Sequence, residues 1–237
     1  MDKNKYGEIV RIFPTSIYKA QLGLNQADRD ILSKEVFDQE KKSNNPFYTK
    51  QSSAWTGDTQ GFEFLYSNKK FDKLFNLISL NIKKYTELLG INNTKIDFYY
   101  QRAWATISRK DGYIGRHKHS QSHISFAYYL KKDKNHSALN FHNEFVQNEI
   151  AQMMFSSNPV GFSIKDFFTP NYDNAKLATV NPQEDEIYIF PSKVVHSTAV
   201  NKTENARISI SADVSIVAKS SENLENLLTP LDKWMKF

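Results

Sequence analysis

Three histidines in this 237-residue sequence are spaced so that they could hold one metal ion. His117 and His119 lie two residues apart in GRHKHSQSH, and His196 lies much later, in IFPSKVVHS. Residues i and i+2 of a strand point to the same face, so both imidazoles of the pair could reach one ion. A third ligand from another strand would complete a facial site. The alternative interpretation of the pair is two surface histidines beside lysine and serine.

A lone arginine follows the second histidine segment and extends the hypothesis. Arg207 begins the apolar-polar alternation RISISADVSI, shortly after His196. Its planar guanidinium can bind a carboxylate through two hydrogen bonds, and Ser209 on the same strand face could add a hydroxyl. A facial site with open positions suits Fe(II), since 2-oxoglutarate and O₂ need the remaining positions. A surface ion pair is the usual role of an isolated arginine, but this position favours an anion site.

The pattern of the chain predicts a mainly β protein with flanking helices. Apolar residues at helical spacing predict helices over residues 27–39 and 65–89, and a strand is expected over residues 9–17. From residue 96 onwards the sequence is rich in aromatic and β-branched residues, which indicates many short strands and a sandwich, barrel or jelly roll. We expect residues 1–95 to pack on a jelly-roll core of residues 96–220, with a closing helix over residues 221–237, all in one integrated domain. The predicted strands of the core are residues 96–108, 123–130, 138–142, 175–180, 186–190 and 206–217.

Several segments together resemble the 2-oxoglutarate/Fe(II) oxygenases of bacteria and phages. They are, in order, Trp104, GRHKHSQSHISFAYYL, IFPSKVVHS and ARISISADV, with IFPTSIY, AWTG and LLG in the N-terminal part. The resemblance implies a double-stranded β-helix (jelly roll, cupin-like), Fe(II) and 2-oxoglutarate as cosubstrate. It also implies oxidation, by hydroxylation, of a substrate that the sequence does not identify. By similarity to prolyl-hydroxylase-like members, the phenol of Tyr129 is expected to donate to the distal carboxylate of 2-oxoglutarate.

One residue departs from the pattern of the wider superfamily. Most members carry His-x-Asp/Glu, whereas His119 occupies the carboxylate position here. The site is therefore either a three-histidine site or is completed by a carboxylate from elsewhere, for which Asp111 and Glu144 are candidates. A neutral third ligand would leave the Fe(II) site one charge more positive.

Two other functions fit the same barrel: a cupin-type metal enzyme and a non-catalytic binding module with a degenerate site. A cupin needs no arginine for 2-oxoglutarate, so Arg207 favours the oxygenase, and titration with iron and 2-oxoglutarate would separate the three. The substrate could be a peptide side chain, a nucleobase or a small metabolite. The remaining polar candidates are His123, Ser125 and Asn140, which could line the pocket without an assigned role, and His136 and His142, which are expected on the surface or in loops.

Composition narrows the class of protein further. The absence of cysteine excludes disulfides, thiolate metal sites and cysteine nucleophiles. A net charge of +5 is mildly basic and does not by itself indicate nucleic acid. No apolar run approaches the ~20 residues of a membrane span, and no signal peptide is visible. We therefore expect a cytoplasmic protein of bacterial or phage origin without a membrane partner, and the sequence leaves a homodimer open.

Overall fold

The computed structural model describes residues 9–43, 53–145, 147–151, 155, 169, 171–221 and 225–237. Within them, two α-helices precede most of the strands, as the sequence predicts, and the remainder is predominantly β-structure. The helices are α1 (Gln26–Lys42) and α2 (Asp72–Leu88). The strands are β1 (Tyr18–Gln21), β2 (Trp55–Thr56), β3 (Ile96–Ser108), β4 (Ile124–Lys131), β5 (Leu139–His142), β6 (Leu177–Val180), β7 (Glu186–Pro191), β8 (His196–Thr198) and β9 (Arg207–Ala218).

The strands form two antiparallel sheets. The larger sheet has the order β1-β7-β4-β9-β3-β2, and the smaller sheet has the order β6-β5-β8. The long strands β3 and β9 pair along almost their whole length, from Ile96 opposite Ala218 to Ser108 opposite Arg207. These two strands, with β4 on the other side of β9, form one wall of the cavity described below.

Strict alternation in β9 gives the larger sheet two different faces. Every second residue of this strand, from Ile208 to Val214, joins the main apolar cluster. Of the residues that alternate with them, Arg207, Ser209 and Ser211 line a cavity on the opposite face. Because successive side chains of a strand point to opposite faces, one short sequence both buries a core and builds a polar pocket.

Both helices cover the apolar face of the larger sheet. Leu32 and Val36 of α1, and Leu74 and Ile78 of α2, are buried in the same apolar cluster as β9. Helix α1 begins at a capped position, where the side chain of Asn25 accepts a hydrogen bond from the backbone N–H of Asp28. The expectation that the helices pack outside one sheet is confirmed. Among the residues described, no helix combines the length and apolar character needed to cross a membrane.

Three local expectations are wrong. Residues 9–17 form no strand; they are largely exposed and bend at Phe13, which has a positive φ, and the first strand begins at Tyr18. Helix α2 begins at Asp72, because residues 65–71 form two short 3₁₀ turns instead. The expected closing helix over residues 221–237 is also wrong. Its described residues contain only a 3₁₀ turn at Leu231–Lys233, since Pro230 has no N–H to continue a helix.

Candidate metal centre and active site

The three predicted histidines converge at one end of the sheets. The closest ligand atoms of His117, His119 and His196 all lie within 4.8 Å of one another. His117 and His196 exchange two backbone hydrogen bonds, of 3.0 and 2.9 Å, which hold their rings with centroids 4.2 Å apart. His117 and His119 do not lie on a regular strand as expected. They belong to an extended connection between β3 and β4 that pairs with residues 192–196.

Hydrogen bonds on the outer ring nitrogens set the tautomers of two of these histidines. Nδ1 of His117 lies 2.8 Å from the carbonyl oxygen of Gly115, and Nδ1 of His196 lies 2.9 Å from that of Val194. A carbonyl oxygen only accepts, so both Nδ1 atoms carry the proton. Each Nε2 therefore presents a lone pair, which is the form that binds a metal.

Burial keeps two of the three histidines uncharged. Loss of solvent, followed by the neighbouring His117, lowers the pKa of His196 to about 3. Burial likewise lowers the pKa of His117 below its ordinary value, against a smaller opposing effect of the hydrogen bond to Gly115. Both imidazole rings are therefore neutral at neutral pH, with a single proton on Nδ1. Neither ring has to lose a proton before Nε2 coordinates an ion.

The two carboxylates considered as replacement ligands lie elsewhere. Asp111 is mostly exposed and lies 3.6 Å from Lys202, while Glu144 pairs with Arg116 at 3.2 Å. Among the residues described, the only group of three or more histidine or acidic side chains with metal-ligand spacing is the three-histidine cluster itself. The geometry therefore favours the three-histidine alternative.

A buried aspartate that the sequence did not suggest lies directly behind His119. Oδ1 of Asp213 is 2.5 Å from Nδ1 of His119, and Oδ2 accepts from Nε and Nη2 of Arg102 at 2.8 and 2.6 Å. Burial alone would raise the pKa of the Asp213 carboxyl. The hydrogen bonds from His119 and Arg102 outweigh burial and hold that pKa below its ordinary value. Asp213 is therefore an ionised, fully enclosed carboxylate one hydrogen bond from a candidate ligand.

Arg207 is the largest completely buried side chain in the part of the chain that the structure describes. Its Nη1 donates to Oγ of Ser137 at 2.6 Å, its guanidinium lies 5.9 Å from the ring centroid of Tyr129, and its Nε has no hydrogen-bond partner. Among the residues described, no carboxylate forms an ion pair with it. A buried guanidinium stays protonated and is costly without an anion, so this site is incomplete in electrostatic terms.

Arg207 and the histidine cluster open on the same cavity, of about 360 Å³. Ser209 and Tyr129 line it too, as do Ser125 and Trp104. Burial raises the pKa of Tyr129 to about 12, against a smaller lowering by Arg207, so its phenol remains a protonated donor. The indole ring of Trp104 stacks on His119 with ring centroids 5.7 Å apart.

The other polar candidates have structural roles. Nδ1 of His123 accepts from the backbone N–H of Ile216, and Asn140 accepts from the hydroxyl of Thr179 in the smaller sheet. His142 lies on β5 and bonds to Ser197 rather than standing on the surface. His136 lies in the loop between β4 and β5, which fits the expected loop position, but its side chain is not on the surface. This side chain is 3% exposed, because its ring nitrogens bond to backbone groups of Asp133 and Asn205.

Comparison with known proteins adds a family and a fold. Residues 102–213 match the model of the family described as "Putative 2OG-Fe(II) oxygenase". This segment runs from Arg102 to Asp213 and contains all three clustered histidines and Arg207. The chain carries a domain of the 2OG-Fe(II) oxygenase family. It is an enzyme of the class that depends on Fe(II) and 2-oxoglutarate, as the resemblance implied.

Solved structures of low sequence identity share the fold. A prolyl-4-hydroxylase from Pseudomonas putida is 12% identical, with a TM-score of 0.54 over 85% of this chain and 92% of its own. A prolyl hydroxylase from Trichoplax adhaerens, in complex with a hypoxia-inducible-factor peptide fragment, is 10% identical, with a TM-score of 0.54 over 84% and 83%. HygX from Streptomyces hygroscopicus, with nickel and 2-oxoglutarate bound, is 10% identical, with a TM-score of 0.50 over 85% and 82%.

These structural similarities confirm the predicted double-stranded β-helix fold of this protein. No protein of curated function matches the sequence significantly. The residues of the cavity fit the two cofactors of the family. Three imidazoles have ring nitrogens within 4.8 Å of one another, and a buried guanidinium without a counter-ion among the residues described opens on the same space.

Proposed function

We propose that this oxygenase holds Fe(II) with His117, His119 and His196, and binds the distal carboxylate of 2-oxoglutarate with Arg207, Ser209 and Tyr129. Bound Fe(II) would supply the redox chemistry that activates O₂ for hydroxylation of a substrate. The protein's own side chains would hold the two cofactors and would keep bulk water from the buried end of the cavity, at Arg207 and Tyr129. The cytoplasm, a bacterial or phage source and a homodimer remain predictions from the sequence.

The observation that carries the proposal is the unpaired buried charge of Arg207. 2-Oxoglutarate has a keto acid at one end and a second carboxylate two methylenes away. That second carboxylate would satisfy the free Nε of Arg207 and neutralise its charge in an environment without water. The phenol of Tyr129 and the hydroxyl of Ser209 are available to donate to its remaining lone pairs.

A plain anion-binding barrel is less well supported. A binding module would need Arg207, but it would have no use for three imidazoles at metal-ligand spacing beside the same cavity. A cupin-type enzyme would use the imidazoles but not the buried guanidinium. Only a metal-bound keto acid with a second carboxylate uses both groups.

Turnover is the functional test. We expect the purified protein, supplied with Fe(II), O₂ and 2-oxoglutarate, to form succinate in step with oxidation of a substrate from a panel of peptides, nucleobases and small metabolites. Proline-containing peptides are tested first, because two of the similar structures are prolyl hydroxylases. His196→Ala is the matched control and should form none. Succinate formation that continues in this variant would contradict the proposed centre.

A further inference from the structure

We propose that Asp213 is a positioning residue that fixes the tautomer of His119 and so makes it a metal ligand. This inference rests on the proposed function. It concerns the one histidine of the cluster whose outer nitrogen bonds to a side chain instead of a backbone carbonyl. The partners of His117 and His196 are backbone carbonyl oxygens, which remain in place when the side chain of the partner residue is substituted. The role of His119 therefore depends on residue 213.

The contacts of Asp213 divide between its two oxygens. Oδ1 accepts from Nδ1 of His119 at 2.5 Å and from Oγ of Ser122 at 3.2 Å. Oδ2 accepts from Nε and Nη2 of Arg102, at 2.8 and 2.6 Å, and from Nε2 of Gln121 at 2.8 Å. The side chain is completely enclosed. All its acceptor positions are in use, so the carboxylate cannot turn away from His119.

This arrangement has a chemical consequence for the metal centre. A carboxylate accepts but does not donate, so Nδ1 of His119 carries the proton and Nε2 points a lone pair at the other two histidines. Three neutral imidazoles would give the centre no anionic ligand. Asp213 places a negative charge one hydrogen bond behind the third of them, and such a partner makes the imidazole a stronger donor to a metal.

Arg102 determines what a change at residue 213 would do. In Asp213→Asn, one oxygen becomes an NH₂ group that donates. The single remaining oxygen should turn towards Arg102, because two charged N–H groups bind it more strongly than one imidazole N–H does. The NH₂ group then faces Nδ1 of His119, which must accept. The proton of His119 moves to Nε2, where it blocks coordination.

A tautomer-setting role and a purely structural role predict opposite orders for the two substitutions at residue 213. An aspartate that only filled space and bonded its neighbours would be replaced better by asparagine than by alanine. For a tautomer-setting residue, Asp213→Asn should be the worse change, since Asp213→Ala leaves His119 free to adopt either tautomer. Removing Arg102 in the asparagine background, as Arg102→Met with Asp213→Asn, should recover part of the loss, because the amide oxygen can then turn to His119.

The test uses Co(II) as the probe and the folded full-length chain. Co(II) affinity is titrated by absorption, and the ring-nitrogen ¹⁵N shifts of His119 are recorded in metal-free protein. We expect Asp213→Asn to lose about 10- to 100-fold in Co(II) affinity and to show a protonated Nε2. Asp213→Ala should lose less, and the double variant should regain affinity over Asp213→Asn. Asp185→Asn is the control. This buried aspartate accepts from Tyr128 and from the backbone of Gly23, does not line the cavity, and should leave Co(II) affinity unchanged.

The results that would overturn the inference are of two kinds, which the experiment distinguishes. A wild-type tautomer in Asp213→Asn, or a Co(II) affinity ordered Asn above Ala, would leave the proposed metal centre standing but reduce Asp213 to a packing residue. If Asp213→Asn does not fold, the tautomer distribution in Asp213→Ala decides instead, with a wild-type distribution again counting against the inference. Failure of the wild-type protein to bind Co(II) would overturn the proposed function itself, and this inference with it.

Discussion

At the scale of single residues, the site combines two kinds of burial. Burial holds His117 and His196 in their neutral form, while Arg207 is buried with its charge and no acidic partner among the residues described. The first kind makes ligands available without loss of a proton. The buried charge of Arg207 favours binding of an anion, because an unpaired charge in the protein interior is energetically costly.

Metal binding should depend on each histidine of the cluster and not on its neighbour His142. His117→Ala or His196→Ala removes one of three ligands, and we expect stoichiometric Fe(II) binding to be lost in both. His142→Ala is the matched control, because this ring bonds to Ser197 beside the cluster without belonging to it. Metal content after anaerobic loading and gel filtration is the measurement. Full iron retention by both ligand variants would contradict the assignment.

Arg207→Met should abolish tight binding of 2-oxoglutarate without unfolding the protein. It removes a buried hydrogen-bonded charge, which typically costs roughly 2–5 kcal/mol, or about 30-fold to several thousand-fold in affinity. The fold should tolerate the change, since an apolar side chain in place of an unpaired buried charge is often neutral or stabilising. Arg207→Lys should also bind weakly, because it keeps the charge but loses the planar fork. Equal affinities of Arg207→Lys and wild type would show that charge alone suffices.

The individual residues of the site were predictable to an unequal degree. His117, His119, His196 and Arg207 stand in short, recognisable segments, and the structure brings all four to one cavity. Asp213 was missed, although it stands in the predicted strand ISISADVSI. Its partner His119 lies 94 residues away in sequence, and only the pairing of strands brings them together. The one available signal was a charged residue on the polar face of an otherwise apolar strand.

At the scale of secondary-structure elements, the alternation of β9 separates stability from function. Its apolar residues face the helices, and its polar residues face the cavity. This division was visible in the sequence of β9 as period-2 alternation, and the bounds of β3 were visible as a 13-residue run rich in aromatic and β-branched residues. The three-residue strand β8, which carries His196, was not visible, since it owes its conformation to backbone bonds with β5 and the segment of His117.

The packing of α2 on the larger sheet can be tested with one substitution at two positions. Leu74 is fully buried against the sheet, whereas Leu80 on the same helix is 65% exposed. Leu74→Ala should lower the free energy of unfolding by about 2–5 kcal/mol, and Leu80→Ala by less than about 0.5 kcal/mol. Denaturant unfolding measures both. Co(II) affinity should stay unchanged in each folded variant, because α2 covers the face opposite the cavity. Equal destabilisation by the two changes would argue against this packing.

At the scale of the whole molecule, burial of neutral histidines makes stability depend on pH. Burial lowers the pKa of His136, with Lys132 and Arg207 acting in the same direction and Asn205 and Asp133 against it. The unfolded chain takes up a proton near its ordinary pKa of about 6.5, while the folded protein does not. Stability is therefore fully present above about pH 6.5 and decreases as the pH falls towards the depressed folded pKa.

We expect the free energy of unfolding of the metal-free protein to fall by up to about 1.4 kcal/mol per pH unit for each such histidine below pH ~6.5. His136→Gln should flatten part of this dependence, since the amide can keep hydrogen bonds to the same backbone groups without titrating. His117, His142 and His196, whose pKa values burial also lowers, would contribute the remainder. Unfolding curves between pH 7 and pH 5 give the slopes. A variant whose slope equals that of wild type would show that His136 does not titrate on unfolding.

The central claim is that one molecule of 2-oxoglutarate reaches both the histidine-bound iron and Arg207, and its most direct test is calorimetric titration without oxygen. 2-Oxoglutarate is titrated into wild type and Arg207→Met, each with and without Fe(II). We expect one tight site in iron-loaded wild type, and we expect its affinity for 2-oxoglutarate to fall by about 30-fold or more when either the metal or the guanidinium is removed. Wild-type affinity in iron-loaded Arg207→Met, or affinity indifferent to iron in the wild-type protein, would contradict this claim.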